Sequence, residues 1–423
     1  MMSMLLYLGV LVVAILILLT VSIDSLAGVA AGMALILIVI FGNPSVPGLL
    51  IMSSFAGICL IFVCVMVRKP SGQSVRFGMS TISLFAVFAL TLVVSFARGF
   101  SGLLFHAVVL LGLVAAGSIF ALFGERDKLI FARILTAVSI VQVFLSFGEV
   151  TGSLTPLWGL RNSFERTNPF LGDQLFRAQG TMGHPIALAV LLAATLIVVL
   201  QRRVKLSQAA HYMTVSLLSI GIILTGTRSV VISLLVAGAF WLASDNRRGM
   251  AGRVMSSFFA LSVALVVFYS EIDKILNELI DSGSYTNRLF VIMSIPSLIE
   301  QGFVNVMFGA GLSGESKLFQ SGVLSSGTLN VVDNQFISTY INAGLIGAGL
   351  LLVTFIFCFR ARSLNVRVMS VFLFSMLMVF DMFSWYSCVF LLIWCTCSVL
   401  KKDSMGQDEK LRVSSQGRAG ALP

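Results

Sequence analysis

Long apolar runs separated by short polar breaks dominate the chain from its start to about residue 400. Several runs, such as 187–200 with its flanks and 337–358, approach 20 residues in length. At 1.5 Å per residue, about 20 helical residues cross the roughly 30 Å hydrocarbon layer of a bilayer. Barrel strands are about 10 residues long and alternate in polarity, unlike these runs. The pattern predicts an all-α, polytopic transmembrane helical bundle.

The composition excludes a water-soluble globular protein, because 58% of the 423 residues are hydrophobic and only 11% are charged. Soluble domains carry about 45–50% apolar and about 25% charged residues. The six cysteines lie in or beside apolar runs without the spacing of a metal site, so we interpret them as small hydrophobic residues. The apolar segment 1–20 has no basic region before it, which favours a first membrane helix over a cleaved signal peptide.

Lysine and arginine cluster in the breaks between runs, and short basic loops remain in the cytoplasm. An even number of crossings between clusters predicts about 12–13 helices in one membrane domain, 1–400, with the N-terminus outside. Two larger extracytoplasmic loops are predicted at about 148–183 and 271–334, and 401–423 is predicted to be a disordered cytoplasmic tail. The clusters are Arg68, Lys69 and Arg76; Arg126 and Lys128; Arg202, Arg203 and Lys205; Arg247, Arg248 and Arg253; and Arg360, Arg362 and Arg367.

The net charge of +10 follows mainly from these cytoplasmic clusters, and no basic patch interleaved with aromatic residues indicates nucleic-acid binding. Other basic residues fall on the predicted outer face, against the positive-inside preference. Most of them are arginines, whose planar fork grips phosphate or carboxylate. Lipid-linked pyrophosphate and acidic sugars are therefore candidate ligands. The outer basic residues are Arg98, Arg161, Arg166, Arg177, Arg228, Lys274, Arg288 and Lys317.

Arg177 lies in segment 176–185, whose glycines and Pro185 predict a tight turn that leads into a helix N-terminus. Helix N-termini favour anions, so Arg177 is a candidate phosphate ligand. The alternative is an ion pair with Glu165 or Asp173, and both interpretations stay open.

Arg228 and Arg288 also have structural alternatives. Arg228 lies in the short turn 224–229, where it either snorkels to the membrane surface or faces a cavity that the small residues leave open. Arg288 follows the polar segment 282–287, and its local sequence favours a surface arginine at the start of an interfacial helix.

Asp333 precedes a long apolar run and is either a helix N-cap or a carboxylate that takes a proton from a sugar hydroxyl. The glycine-rich segment 308–314 is a weak match to a phosphate loop and fits a flexible hinge better. His184 could act as a base, although its place before Pro185 favours a structural role.

In order along the chain, these segments resemble the O-antigen polymerase and O-antigen ligase superfamily of bacterial inner-membrane glycosyltransferases. The resemblance covers 177–347. Its motifs are Arg177-Ala178-Gln179-Gly180-Thr181-Met182-Gly183-His184-Pro185; Thr225-Gly226-Thr227-Arg228-Ser229; Arg288 followed by Phe308-Gly309-Ala310-Gly311; and Asp333-Asn334-Gln335-Phe336 with Gly344 and Gly347.

The resemblance implies a multi-pass protein of the bacterial inner membrane that acts on oligosaccharides linked to undecaprenyl pyrophosphate. It implies that Arg177, Arg228 and Arg288 hold the pyrophosphate and stabilise its departure, with no metal or cofactor. Asp333 would be the general base or would orient the acceptor. Further candidate substrate contacts are Arg161, Arg166, His184 and Tyr285.

Ligases of this superfamily have a histidine where this chain has Asp333, which favours a polymerase of O-antigen, capsule or exopolysaccharide. Its candidate partners are a chain-length regulator and a flippase, besides the bilayer. One alternative is an O-antigen ligase with a lipid A-core or other acceptor. Another is a flippase or transporter, which predicts charged groups along the middle of helices; the middle stretches here are nearly free of charge.

Overall fold

The structure is a computed structural model, and it describes residues 2–69, 75–158, 167–202, 204–244, 291, 293–324 and 332–400. Within these residues, seven helices are long and apolar enough to cross a membrane, and five shorter apolar helices accompany them. The predicted all-α, polytopic helical bundle is therefore confirmed, and the chain is a multi-pass membrane protein. Side chains at 2–6 and at 173, 174 and 400 are not described.

Most of the membrane helices follow one another through short connections, as the breaks between apolar runs predict. The long helices are α2 (Leu26–Phe41), α3 (Gly48–Arg68), α4 (Met79–Ala97), α5 (Leu103–Ala121), α6 (Glu125–Val150), α8 (Gln208–Thr225) and α13 (Gln335–Phe359). The others are α1 (Met2–Thr20), α7 (Pro185–Leu200), α9 (Arg228–Ser244), α14 (Leu364–Leu377) and α15 (Tyr386–Cys397).

Small elements occupy the two longest connections. Between α6 and α7, the strands β1 (Thr167–Asn168) and β2 (Gly172–Phe176) pair in antiparallel orientation. Before α13, three short helices follow one another: α10 (Ile295–Ile299), α11 (Phe303–Phe308) and α12 (Gly314–Gln320). The side of the membrane on which these connections lie stays a prediction.

Two helices form the centre of the bundle. Every residue of α7 from Ala187 to Val199 is buried, and so is every residue of α15 from Ser387 to Cys397. A helix that is apolar all round belongs inside a bundle and not at its edge. Around this centre, the main contacts pair α4 with α13, α3 with α5, α9 with α14 and α2 with α6.

One end of the bundle, the basic end, gathers the basic connections. Lys69 Nζ donates to the Leu122 carbonyl at 3.0 Å, and Gln201 Nε2 donates to the Asn365 carbonyl at 3.4 Å. The Arg68 guanidinium also reaches a backbone carbonyl of α1.

At the opposite end, which we call the site end, the other connections meet. Asn43 Nδ2 donates to the Thr181 carbonyl at 2.9 Å, and the Phe383 amide donates to Gln335 Oε1 at 2.7 Å. The candidate site residues that the structure describes lie at this end.

Candidate functional site

The turn between α8 and α9 carries Arg228 and binds a second arginine, Arg177. Helix α8 ends at Thr225, and α9 begins at Arg228, as the break at 225–229 predicts. Gly226 has a φ of +62°, and a Cβ added there would lie 2.7 Å from Pro169, so only glycine fits this turn. We call residues 225–228 together with Arg177 the arginine turn.

Arg177 joins this turn from a distant part of the chain. Its Nε donates to the Thr225 carbonyl at 3.0 Å, and its Nη2 lies 3.4 Å from Thr227 Oγ1. Arg228 follows Thr227 directly. Both arginines are half-buried. The structure therefore brings together two of the arginines that the sequence singled out.

The hairpin of β1 and β2 clamps the same turn. Asn168 is fully buried, and its Nδ2 donates to the carbonyls of Ile223 at 3.0 Å and Leu224 at 2.9 Å. The Ala178 amide also donates to the Leu224 carbonyl, at 3.0 Å. Because these bonds satisfy the last carbonyls of α8, which have no partner within the helix, they fix the direction in which α9 starts.

The segment after Arg177 is held by two buried polar side chains of α6. Glu149 Oε2 accepts from the amides of Gln179 at 2.8 Å and Gly180 at 2.9 Å. Gln142 Oε1 accepts from the Thr181 amide at 3.0 Å. A buried carboxylate and amide that are satisfied in this way hold the backbone in one position, so the backbone next to Arg177 is rigid.

His184 has a structural explanation in these contacts. It is the N-cap of α7, its Nδ1 accepts from the Ile186 amide at 3.1 Å, and Pro185 is the first helical residue. The imidazole ring lies 4.8 Å from the ring of Trp385 and 5.6 Å from that of Phe380. The structural interpretation accounts for these contacts, and a role of His184 in substrate binding stays a prediction.

A cavity of about 360 Å³ opens at the site end between α4, α5, α12, α13 and the α14–α15 connection. Two carboxylates, Glu315 and Asp381, line it together with the amides of Gln335 and Asn342 and the ring of His106. We call it the acidic cavity. Among its described lining residues there is no lysine or arginine, so Arg177 and Arg228 lie outside its wall.

The two carboxylates of the acidic cavity are partly satisfied by hydroxyl groups. Ser338 Oγ donates to Glu315 Oε1 at 2.5 Å, and Ser384 Oγ donates to Asp381 Oδ2 at 2.5 Å. Burial raises the pKa of Glu315. Burial, with the charges of Glu315 and then Asp333 adding to it, raises the pKa of Asp381 to about 7.

A break in α13 shapes the floor of this cavity. Gly344 has a φ of +66° and interrupts the helix, so the carbonyls of Ile341 and Asn342 face a different partner. They accept from the amides of Ala310 at 2.7 Å and Gly311 at 3.0 Å. The glycine-rich segment predicted as a hinge therefore packs against a discontinuous membrane helix, an arrangement that often borders binding sites.

Asn334, and not Asp333, is the N-cap of α13. Its side-chain oxygen accepts from the amides of Phe336 at 2.9 Å and Ile337 at 3.2 Å. The structural alternative for Asp333, that it is needed to cap this helix, therefore does not hold. Asp333 lies close enough to Asp381 to raise its pKa.

Sequence reasoning did not single out Glu315, His106 or Asp381 as site residues. A carboxylate between two apolar helices, as in Phe380-Asp381-Met382, is a recognisable signal because charge there is costly. His106 Nδ1 lies 3.0 Å from the Gly102 carbonyl, and its ring contacts Phe100.

Four of the predicted site residues lie outside the described residues. They are Arg161, Arg166, Tyr285 and Arg288. Their roles in substrate binding stay predictions.

Residues 213–352 match the family described as O-antigen ligase. The match begins within α8, includes Arg228, Glu315 and Asp333, and ends within α13 after its break at Gly344; it leaves Arg177 and Asp381 outside. No curated protein matches the chain. By the match over 213–352, the chain is similar to the O-antigen ligase and polymerase superfamily, whose members are membrane enzymes of the glycosyltransferase type.

Proposed function

We propose that the protein is a polysaccharide polymerase of the bacterial inner membrane. It transfers a growing glycan from undecaprenyl pyrophosphate to a hydroxyl group of the next lipid-linked repeat unit, at the outer face. The observation that carries this proposal is the arginine turn, where Arg177 bonds the residues directly before Arg228 at the end opposite the basic connections.

The distribution of charge supports the orientation. Short loops rich in lysine and arginine remain in the cytoplasm, so the basic end faces inward and the site end faces outward. A diphosphate headgroup in the outer leaflet then lies at the depth of the arginine turn.

The chemistry requires charge stabilisation at the leaving group. The bond between the anomeric carbon and the phosphate oxygen breaks, and its electron pair goes to the pyrophosphate. Guanidinium groups placed where this negative charge develops lower the barrier. The backbone bonds that fix Arg177 and the start of α9 keep these groups in position, which reduces reorganisation during the reaction.

The acceptor oxygen forms the new bond to the anomeric carbon and loses its proton. We assign this proton to Asp333, because Asn334 already caps α13 and Asp333 lies beside the acidic cavity. A carboxylate within reach of the hydroxyl can act as the general base. A chain-length regulator and a flippase remain the proposed partners.

An O-antigen ligase is the second candidate, and the family description favours it. The chain has Asp333 where a ligase has histidine, which favours the polymerase. Deletion of the gene separates the two functions. A lost polymerase leaves single repeat units on the acceptor, whereas a lost ligase leaves finished polymer on its lipid carrier.

The proposed role of the three arginines is tested by replacing Arg177 and Arg228 of the arginine turn, and Arg288, with alanine, one at a time. Each variant should reduce polymer formation by about 10²–10³-fold, the usual cost of removing a group that stabilises developing charge. Replacement by lysine should restore little polymer formation, because lysine lacks the planar guanidinium group that binds phosphate through two hydrogen bonds. Arg362→Ala, an exposed arginine after the basic end of α13, is the matched control.

Arg228→Ala is the most informative of the three, because Arg177 also bonds the turn and its loss disturbs the backbone. Polymer of normal length in all three alanine variants, at normal protein levels, would overturn the role of the arginines.

A further inference from the structure

The acidic cavity has no role in the proposed binding of diphosphate by the arginine turn, yet it is large and lined with polar groups. Small-molecule sites range from about 300 to 1,000 Å³, and this cavity measures about 360 Å³. The volume is large enough for a sugar residue.

Two buried oxygen atoms in the wall have no hydrogen-bond partner within the described residues. They are Oδ1 of Asp381 and Oδ1 of Asn342. Leaving a buried acceptor without a donor is unfavourable. An amide oxygen and the oxygen of an ionised carboxylate accept only, so a ligand that satisfies both atoms above pH 7 donates, as sugar hydroxyl groups do.

The remaining polar groups also suit hydroxyl groups. Asn342 Nδ2 contacts Glu315 Oε1 at 3.3 Å, and Gln335 lines the same wall with both a donor and an acceptor. The rings of Phe383 and Tyr386 add apolar surface beside these groups. A sugar ring has the same combination of an apolar face and a polar edge.

The charge of the wall selects among sugars. Glu315 and Asp381 line the cavity, and Asp333 lies close enough to influence Asp381. Among the described lining residues no lysine or arginine offsets these carboxylates. Placing a second negative charge there is unfavourable, and such repulsion is an effective way to reject a wrong ligand.

We propose that the acidic cavity binds a sugar residue of the acceptor glycan through its hydroxyl groups, accepts neutral or amino sugars, and excludes sugars that carry carboxylate or phosphate. The assignment of this sugar to the acceptor rests on the proposed function. The binding of sugar and its charge preference concern the cavity alone.

Thiol labelling of the purified full-length chain in nanodiscs at pH 8 tests this proposal. Thr91 lines the cavity from α4, and Thr91→Cys places a thiol in its wall. The ratio of labelling by a methanethiosulfonate with a trimethylammonium group to labelling by one with a sulfonate group should be about tenfold higher at this thiol than at an exposed control thiol, which corresponds to about 1.4 kcal/mol. Glu315→Gln and Asp381→Asn should each lower that ratio.

Sugars at equal concentration and ionic strength should then compete with the cationic reagent. Glucose, N-acetylglucosamine and glucosamine, near half occupancy of a millimolar site, should slow the labelling about twofold, and glucuronate should not. Thr151→Cys, exposed at the site end just after α6, is the control thiol: it gives the reference ratio of the two reagents and should not be protected by any sugar. Wild-type protein gives the background from the native cysteines.

The proposal is overturned if none of the neutral or amino sugars protects Thr91→Cys, if glucuronate protects it equally, or if sodium or calcium salts alone do so. These outcomes are independent of the arginine test. If sugars protect Thr91→Cys and the arginine variants still make normal polymer, the cavity binds sugar and the proposed function is wrong. If sugars do not protect Thr91→Cys and the arginine variants lose polymer, the proposed function stands and the cavity does not bind sugar.

Discussion

The arginine turn and the acidic cavity lie at the same end of the bundle but are built in opposite ways. The arginine turn is compact, and backbone carbonyls of α8 accept hydrogen bonds from Arg177 and Asn168. The acidic cavity is hollow, and its polar groups come from helices distant in sequence. Positive charge on a rigid turn suits a diphosphate, and negative charge around a hollow suits hydroxyl groups. We infer that the donor diphosphate and the acceptor sugar of the proposed transfer reaction are recognised separately.

The largest effect should come from closing the break in α13. A Cβ at Gly344 would lie 2.3 Å from the Met307 backbone, and the residue has a φ of +66°. Gly344→Ala should therefore destabilise the fold by about 3 kcal/mol or more, as measured by the Tm and yield of purified protein. Gly349→Ala, in the same helix with nothing within 4 Å of the added Cβ, should have no such cost. Equal stability of the two variants would show that the break is not required.

A second variant disturbs the arginine turn without touching an arginine. Asn168→Ala removes both bonds to the end of α8, and each unpaired buried group costs about 1–3 kcal/mol. Polymer length should fall with the Tm, because the start of α9 is no longer fixed. Thr167→Ala, at an exposed position of the same strand, should leave polymer length and Tm unchanged. A similar loss in this variant would show that the hairpin as a whole, and not the bonds of Asn168, is required.

A third pair of variants separates capping from chemistry at the start of α13. Asn334→Ala should lower stability by about 1 kcal/mol, the usual cost of a lost N-cap, because its bonds to Phe336 and Ile337 disappear. Asp333→Asn should retain the Tm but lose glycan transfer. The reverse pattern in thermal melts and polymer assays would remove Asp333 from the reaction.

The smallest effect concerns pH and the acidic cavity. Asp381 has a pKa of about 7 in the folded protein, above the roughly 3.9 of an unfolded aspartate. Its favourable contribution is complete below about pH 4 and is lost as pH rises toward 7. Glu315 and Asp333 act on it, and His106 shares the cavity wall. Asp381→Asn should reduce the fall of Tm between pH 5 and 8 by a few degrees, at about 2–4 °C per kcal/mol; an unchanged slope would contradict this.

The hydrophobic pattern predicted the bundle because length and polarity alone decide which segments cross a bilayer. The break at 225–229 falls between α8 and α9, and Pro185 begins α7, as predicted. The acidic cavity could not be predicted, since Glu315 and Asp381 are distant in sequence and line the same cavity only through tertiary packing. The N-cap of α13 could not be predicted either. Asp333 and Asn334 are both good capping residues, and the sequence does not distinguish them.

The most direct test of the central claim is the binding of undecaprenyl pyrophosphate to the purified full-length chain, measured as a rise in Tm. The lipid should stabilise the wild type and Asp381→Asn equally, because the acidic cavity does not hold the diphosphate. It should stabilise Arg228→Ala little, and Arg228→Lys should recover only part of the effect. If Arg228→Ala is stabilised as strongly as the wild type, the arginine turn does not bind the diphosphate and the account is wrong.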